Sequence, residues 1–306
     1  MVIAKKKKPM RIKRARGEQI GYLFIMLFLG LFAFSTIYPV WHVIMYSFSD
    51  SKLAMSGGLF FWPRGFSLLG YEMVFNTQQI WISYGNSFLV TLIGTCISVA
   101  LSAITAYPLS RKRLHGRGWL SMLFFFTMLF SGGLIPTYLV VSNLNLTDTF
   151  WALVLPGCLS VYNMFILRNF MQSIPDSLEE SARLDGANDI VIMLRIILPL
   201  CGPSIAAIAM FYGVHHWNGY MNCLLYTNTM ELQVMPMYLR TVLGGAAANA
   251  LSASASTESL GEAAKTLTEE SVKMTTVAVA VIPIICVYPF LQRFYTKGLT
   301  VGAVKG

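Results

Sequence analysis

Of the 306 residues, 55% are hydrophobic and only 12% charged, about half the charge of an average soluble domain. The net charge is +9, but eight of the 23 bases lie in "KKKKPMRIKRAR", which leaves 15 bases against 14 acids elsewhere. This balance excludes an ordinary soluble domain and a folded basic surface for nucleic acid.

In chain order, residues 1–17 read as a basic cytoplasmic tail. Positive charge before a first spanning helix keeps that end inside, and anionic headgroups attract it. The apolar run that follows is too long for a cleaved leader. Six stretches lack Asp, Glu, Lys and Arg: Gln19–Ser49, Met73–Ser110, Gly118–Thr147, Thr149–Leu167, Ile196–Met230 and Met274–Gln292. A helix needs about 20 apolar residues to cross the bilayer core, where every backbone amide must be satisfied internally. The sequence thus predicts an all-α integral membrane protein. Its membrane domain, 18–306, has six transmembrane helices near 20–47, 82–108, 118–142, 149–171, 196–225 and 273–293.

The connections fix the orientation. Asp50 to Tyr71 carries Lys52, Arg64 and several aromatics and is expected outside. "RKRLHGR", after the second span, has four bases and no acid and is expected in the cytoplasm, as is the loop 173–198. The short third connection and the long loop 227–272 are expected outside, and the tail with Arg293, Lys297 and Lys305 inside. Both termini are then cytoplasmic.

The chemistry such a protein could perform is narrow. The six runs contain no acid or base apart from histidine, which disfavours an ion-coupled carrier. There is no GxxxxGK[ST] loop, HExxH or GxSxG, so no catalytic residue is assigned. His215 and His216 are adjacent and diverge on a helix, and no metal site is assigned. The five cysteines lack CxxC spacing and read as small apolar fillers. Uphill transport would need energy from another protein; a self-sufficient facilitator or channel is the alternative.

One cytoplasmic segment suits that role. "PDSLEESARLDGANDI", Pro175 to Ile190, holds five of the 14 acids. Ser173 is expected to cap a helix in which Asp176 and Glu179 favour the positive dipole end and which Gly186 terminates. Leu178, Ser181, Ala182 and Asp185 share one face, and Asp189 is expected to cap a second helix running to Pro199. A docking helix and a solvated linker both fit this pattern.

Polar groups for a solute path are sparse. Tyr162, Asn163 and Asn218 are the pathway candidates, since aromatic faces and amides suit neutral polyols. Asn86, Trp217 and Tyr220 fit helix packing or the bilayer interface better.

Glu180-Ser181-Ala182, Gly186 four residues on, and "IILP" from Ile196 to Pro199 resemble the EAA-loop signature of permease subunits of ATP-binding-cassette importers, with Ser181 as the one departure. "GNSFLVTLIGT", "WNGY" and "YPFLQRFYTKGLTVGAVKG" are similar to the branch that takes up oligosaccharides and complex sugars. The resemblance implies the type I importer (MetI-like) permease fold in a prokaryotic inner or plasma membrane. It implies that Glu180, Ala182 and Gly186, flanked by Ser181, Asp185 and Ala187, face a groove of a cytoplasmic ATPase, which binds the ATP and Mg. It also implies a second, non-identical permease, two ATPase copies, a solute-binding protein docking near 227–272, and a sugar as solute. A permease for a non-sugar solute is the alternative within the family.

Overall fold

The structure, a computed structural model, describes residues 16–244 and 267–303. The basic run at Lys5–Arg14 and most of the low-complexity segment after Gly244 lie outside the described residues. Among the described residues the backbone is helical, and extended pairing is limited to a single bridge between Ser49 and Phe66.

α1 (Arg16–Ser47) is apolar all round, and its large hydrophobic side chains from Ile20 to Ile37 are exposed, as in a helix that stands in lipid. Its C-terminal part packs against α15 (Glu269–Ala303). The connection expected as an outer loop is a folded cap. The Asp50 carboxylate accepts the backbone N–H of Lys52 and Leu53 and starts α2 (Ser51–Ala54). The Tyr46 and Phe60 rings lie 5.0 Å apart, with the Arg64 guanidinium 4.5 Å over Phe60. α3 (Leu69–Asn76) leads into α4.

α4 (Gln78–Ser110) is unbroken over 33 residues and stands at the centre. In lipid, helices gain no hydrophobic drive to associate, so close approach and polar contacts must hold them. α4 supplies both on one face: Gly94, Ser98, Ser102, Ala106 and Ser110, four residues apart, are all buried. α8 (Val161–Gln172) and α12 (Gly202–Asn218) pack on it. The Ser98 hydroxyl lies 3.1 Å from His216 Nε2, and the Ser102 and Tyr212 hydroxyls are 2.7 Å apart.

Three of the expected continuous spans are interrupted. The 118–142 run is α5 (Arg117–Leu129) and α6 (Leu134–Asn143), set at 110°. Gly133 between them has φ +89, a left-handed geometry that favours glycine. The 149–171 run is α7 (Phe150–Val154) and α8, separated at Pro156 and at Gly157, whose φ is +78. The 196–225 run bends by 83° at Cys201, between Pro199 and Pro203, then breaks again at Gly219 before α13 (Met221–Tyr226). The long loop 227–272, expected outside, is not featureless in its described residues either. It contains α14 (Met235–Leu243), packed on α4 and α15, and the start of α15, where Lys273 pairs with Glu269 at 2.6 Å.

A break inside lipid frees backbone groups, which must find partners. The Tyr212 hydroxyl accepts the Ser160 N–H at 3.0 Å beside the α7–α8 break, and Asn222 Nδ2 donates to the Leu153 and Pro156 carbonyls at 3.3 and 3.4 Å. α1 and α4 alone pass the length and hydropathy requirement for a span as single described helices, and two bent pairs pass it together.

A Cβ on Gly94 would sit 2.8 Å from the His216 ring, whereas one on Gly85 would meet nothing within 4 Å. Gly94→Ala is therefore expected to destabilise the purified protein by about 1–3 kcal/mol and Gly85→Ala to leave it unharmed, read as melting temperatures in detergent.

Candidate functional site

The acidic segment forms a short helix, α9 (Asp176–Leu184), with Asp176 and Glu179 in its first turn. Ser173 does not cap it. Its hydroxyl donates to the Phe170 carbonyl at 2.8 Å and closes α8, because Ile174 turns into the core and Pro175 occupies the cap position of α9. At the other end Gly186, φ +83, reverses the chain. Its N–H donates to the Arg183 carbonyl at 3.0 Å and the Ala187 N–H to the Ala182 carbonyl at 2.9 Å, the paired bonds of a Schellman ending. Asn188, rather than Asp189, caps α10 (Asp189–Ile192) by accepting the Val191 N–H at 2.9 Å. The expected helix to Pro199 is present, with a π turn at Met193–Ile197 between α10 and α11 (Leu198–Leu200).

The acids answer to the basic connection after α4. Arg111 meets Glu179 Oε2 at 3.3 Å, Lys112 meets Asp176 at 3.0 Å, and Arg113 and Arg183 both grip Asp189. These pairs differ in kind. Lys112, Asp176, Arg113, Arg183 and Asp189 are all solvated, and such pairs contribute little each. Arg111 and Glu179 have side chains only 5% and 10% exposed. The Tyr107 hydroxyl donates to Glu179 Oε1 at 2.6 Å, and Arg111 donates to the Met171 carbonyl at 3.4 Å. Removing one partner of such a pair strands a buried charge, at a cost of about 3–5 kcal/mol.

The predicted site residues divide by direction. Glu180, Ser181, Asp185 and Gly186 face outward, and among the described residues Glu180 and Asp185 have no ion-pair partner. Ala182 is turned inward: it is buried in the core cluster that also holds Met171, Ile174 and Ile192, and Ala187 packs against that cluster. Four apolar side chains surround the outward acids, with Leu184 90% exposed and Leu178, Ile190 and Leu194 also open.

Residues 98–301, a stretch that includes this loop, match the family described as binding-protein-dependent transport system inner membrane component. The chain belongs to that family. This permease is 43% identical over 287 residues to the polygalacturonan/rhamnogalacturonan transport system permease protein YtcP of Bacillus subtilis, covering 93% of this chain and 99% of that one. It is 40% identical over 281 residues to protein LplC of the same organism, covering 92% and 93%. Among solved structures it resembles a bacterial ABC transporter involved in import of the acidic polysaccharide alginate, with TM-score 0.85 and 28% identity over 93% of this chain and 99% of that chain. As an inner-membrane transport component, the permease is not an enzyme.

The three pathway candidates differ in exposure. Tyr162 is exposed on α8, Asn163 is buried, and Asn218 is exposed, with its Nδ2 bonded to the Val214 carbonyl at 2.9 Å. Asn86 ties helices, as its type suggests: Nδ2 donates to the Glu231 and Gln233 carbonyls at 2.6 and 3.1 Å. Sequence reasoning missed Tyr107, Arg111 and Glu179 as a unit. The available signal was the three consecutive bases of "RKR", equal in number to the acids they meet.

The hydrogen bond from Arg113, reinforced by the charges of Arg113 and Arg183, holds the Asp189 carboxyl below its ordinary 3.8. A depressed folded-state value means that this contribution is complete above the unfolded value and disappears as pH falls through the folded one. At neutral pH, Asp189→Asn should reduce amide protection across 186–192, and wild-type protection there should fall only as the pH drops below 3.8. Hydrogen-exchange protection factors check both.

Proposed function

We propose that this permease is one half of the translocation path of an ATP-driven importer for oligosaccharides, energised through α9 and its flanking turn by a cytoplasmic ATPase. The observation that carries the reading is the division of the acids. Asp176, Glu179 and Asp189 are consumed by the chain's own bases, while Glu180 and Asp185 project with Leu178 and Leu184 from a rigidly ended helix. A solvated linker would need neither the buried anchor beneath it nor apolar side chains on its open face. Glu180 would pair with a base of the ATPase, Gly186 would let the two backbones approach, and Ser181 and Asp185 would flank them. Ala182 and Ala187 would hold the helix from below.

Two features support the remaining partners. Ser131 to Gly133, midway along an apolar run, form an irregular backbone that is exposed on this chain. Lipid does not tolerate such backbone, so protein or a water-filled path must cover it; a second permease supplies both. A solute-binding protein would meet the opposite face, where Asp148 accepts from Asn228 and joins the third and fifth connections. With the acidic loop in the cytoplasm, both termini lie there too. ATP and Mg would be held by the ATPase. YtcP is named for polygalacturonan and rhamnogalacturonan, and the structural relative for alginate, so acidic oligosaccharides are the first substrates to screen.

Reconstitution with the partner permease, ATPase and binding protein tests the reading. Glu180→Arg and Gly186→Val should insert normally yet lower uptake by about tenfold or more, the scale of a typical coupling free energy. Normal uptake in both, or transport by this chain without any ATPase, would show the facilitator reading to be correct instead.

A further inference from the structure

α4 is fastened at both ends. Near its outer end Asn86 holds the Glu231 and Gln233 carbonyls, the buried Ser87 hydroxyl accepts the Met235 N–H at 2.7 Å, and Gln79 donates to the Met230 carbonyl at 2.6 Å. At its inner end Tyr107 and Arg111 hold Glu179, and the Arg111 guanidinium lies 5.1 Å over the Tyr107 ring. Between these anchors runs one continuous helix of 33 residues, with Pro108 in its last turn, about 50 Å long at 1.5 Å per residue. The neighbouring spans contain glycine and proline breaks that would absorb a displacement as bending. α4 would transmit it.

We propose that the buried Tyr107–Glu179–Arg111 cluster is the joint through which movement of α9 displaces α4, and that α4 carries this displacement to the 230–235 segment on the opposite face. Glu179 is thereby a positioning residue: its neighbour Glu180 faces the motor, while Glu179 grips the rod. The two solvated pairs beside it, Lys112–Asp176 and Arg113–Asp189, orient the loop but stay hydrated and hold it loosely. The proposal rests on the reading of α9 as the ATPase dock.

The test is hydrogen exchange of the complete transporter, with both permeases and the ATPase, in the presence and absence of MgATP and without any sugar. In the wild type MgATP should change exchange across 230–235 several-fold. In Glu179→Gln the ATPase should still copurify, since the outward face of α9 is intact, but most of that nucleotide response should vanish. Arg111→Met combined with Glu179→Gln leaves no stranded charge and should behave like the single variant; Tyr107→Phe should weaken the response partially. A cluster that merely stabilises the fold would shift exchange equally with and without nucleotide and leave the difference intact. A wild-type response in the neutral double variant overturns the proposal, as does the absence of any response at 230–235 in the wild type. If Glu179→Gln fails to assemble, the double variant and Tyr107→Phe decide by the same criterion. If the wild type itself does not copurify with an ATPase, the docking reading fails first and the joint with it.

Discussion

Hydrocarbon offers no hydrogen bonds, so each interruption of a spanning helix must be repaired by protein. This permease interrupts three apolar runs, and at the α7–α8 break the repairs come from α12 and α13. Tyr212 reaches the Ser160 backbone beside the α7–α8 break, and Asn222 reaches the Leu153 and Pro156 carbonyls. Those side chains reach only if α12 lies close to its neighbours. The small buried residues of α4 permit that approach, and Ser102 completes the hydroxyl pair with Tyr212 at 2.7 Å. Close packing on α4 and tolerance of the breaks are one arrangement seen from two sides.

The charge distribution follows a second, similar economy. A chain poor in acids places five between Pro175 and Ile190 because the segment has two faces with different demands. The inward face must anchor to the end of α4, and one dry pair, Arg111–Glu179, does so, with the Tyr107 hydroxyl donating to the second Glu179 oxygen. Buried ion pairs are poor stabilisers when compared with apolar packing, but they fix one geometry against near alternatives. The outward face is exposed, and Glu180 and Asp185 keep it hydrated despite Leu184.

Class and the acidic helix were legible because each rests on a long-range average or a fixed local rule. Charge-free length gives spans, and a glycine at the C′ position gives a helix end. "RKRLHGR" and the acidic loop meet through Arg111–Glu179, Lys112–Asp176 and Arg113–Asp189, pairings that sequence reasoning did not foresee. The breaks were less legible, because hydropathy scores Pro156-Gly157 and Gly132-Gly133 as if they continued a helix. Their turn chemistry was present in the sequence but outweighed by the surrounding apolar run. Ser173 misled for a different reason: a good cap residue is used only where the chain turns, and Ile174 moved that turn to Pro175. Ala182 shows the limit of a spacing motif, which places residues on a helix without saying which of its faces the rest of the chain covers.

Broken and unbroken helices have different mechanical uses. A break lets two half-helices change angle at small cost, provided that partners satisfy the freed amides in each arrangement; Tyr212 has both the Ser160 N–H and its carbonyl, 3.0 and 3.3 Å away, within reach of one hydroxyl. An unbroken helix that touches the same partners keeps its length and imposes it on them. With α4 fixed to the acidic loop and to the 230–235 segment, a rotation of that loop in the proposed joint would not be dissipated along α4 itself. In the proposed joint it would appear instead as altered angles at the glycine and proline breaks around it, which an alternately opening path would need.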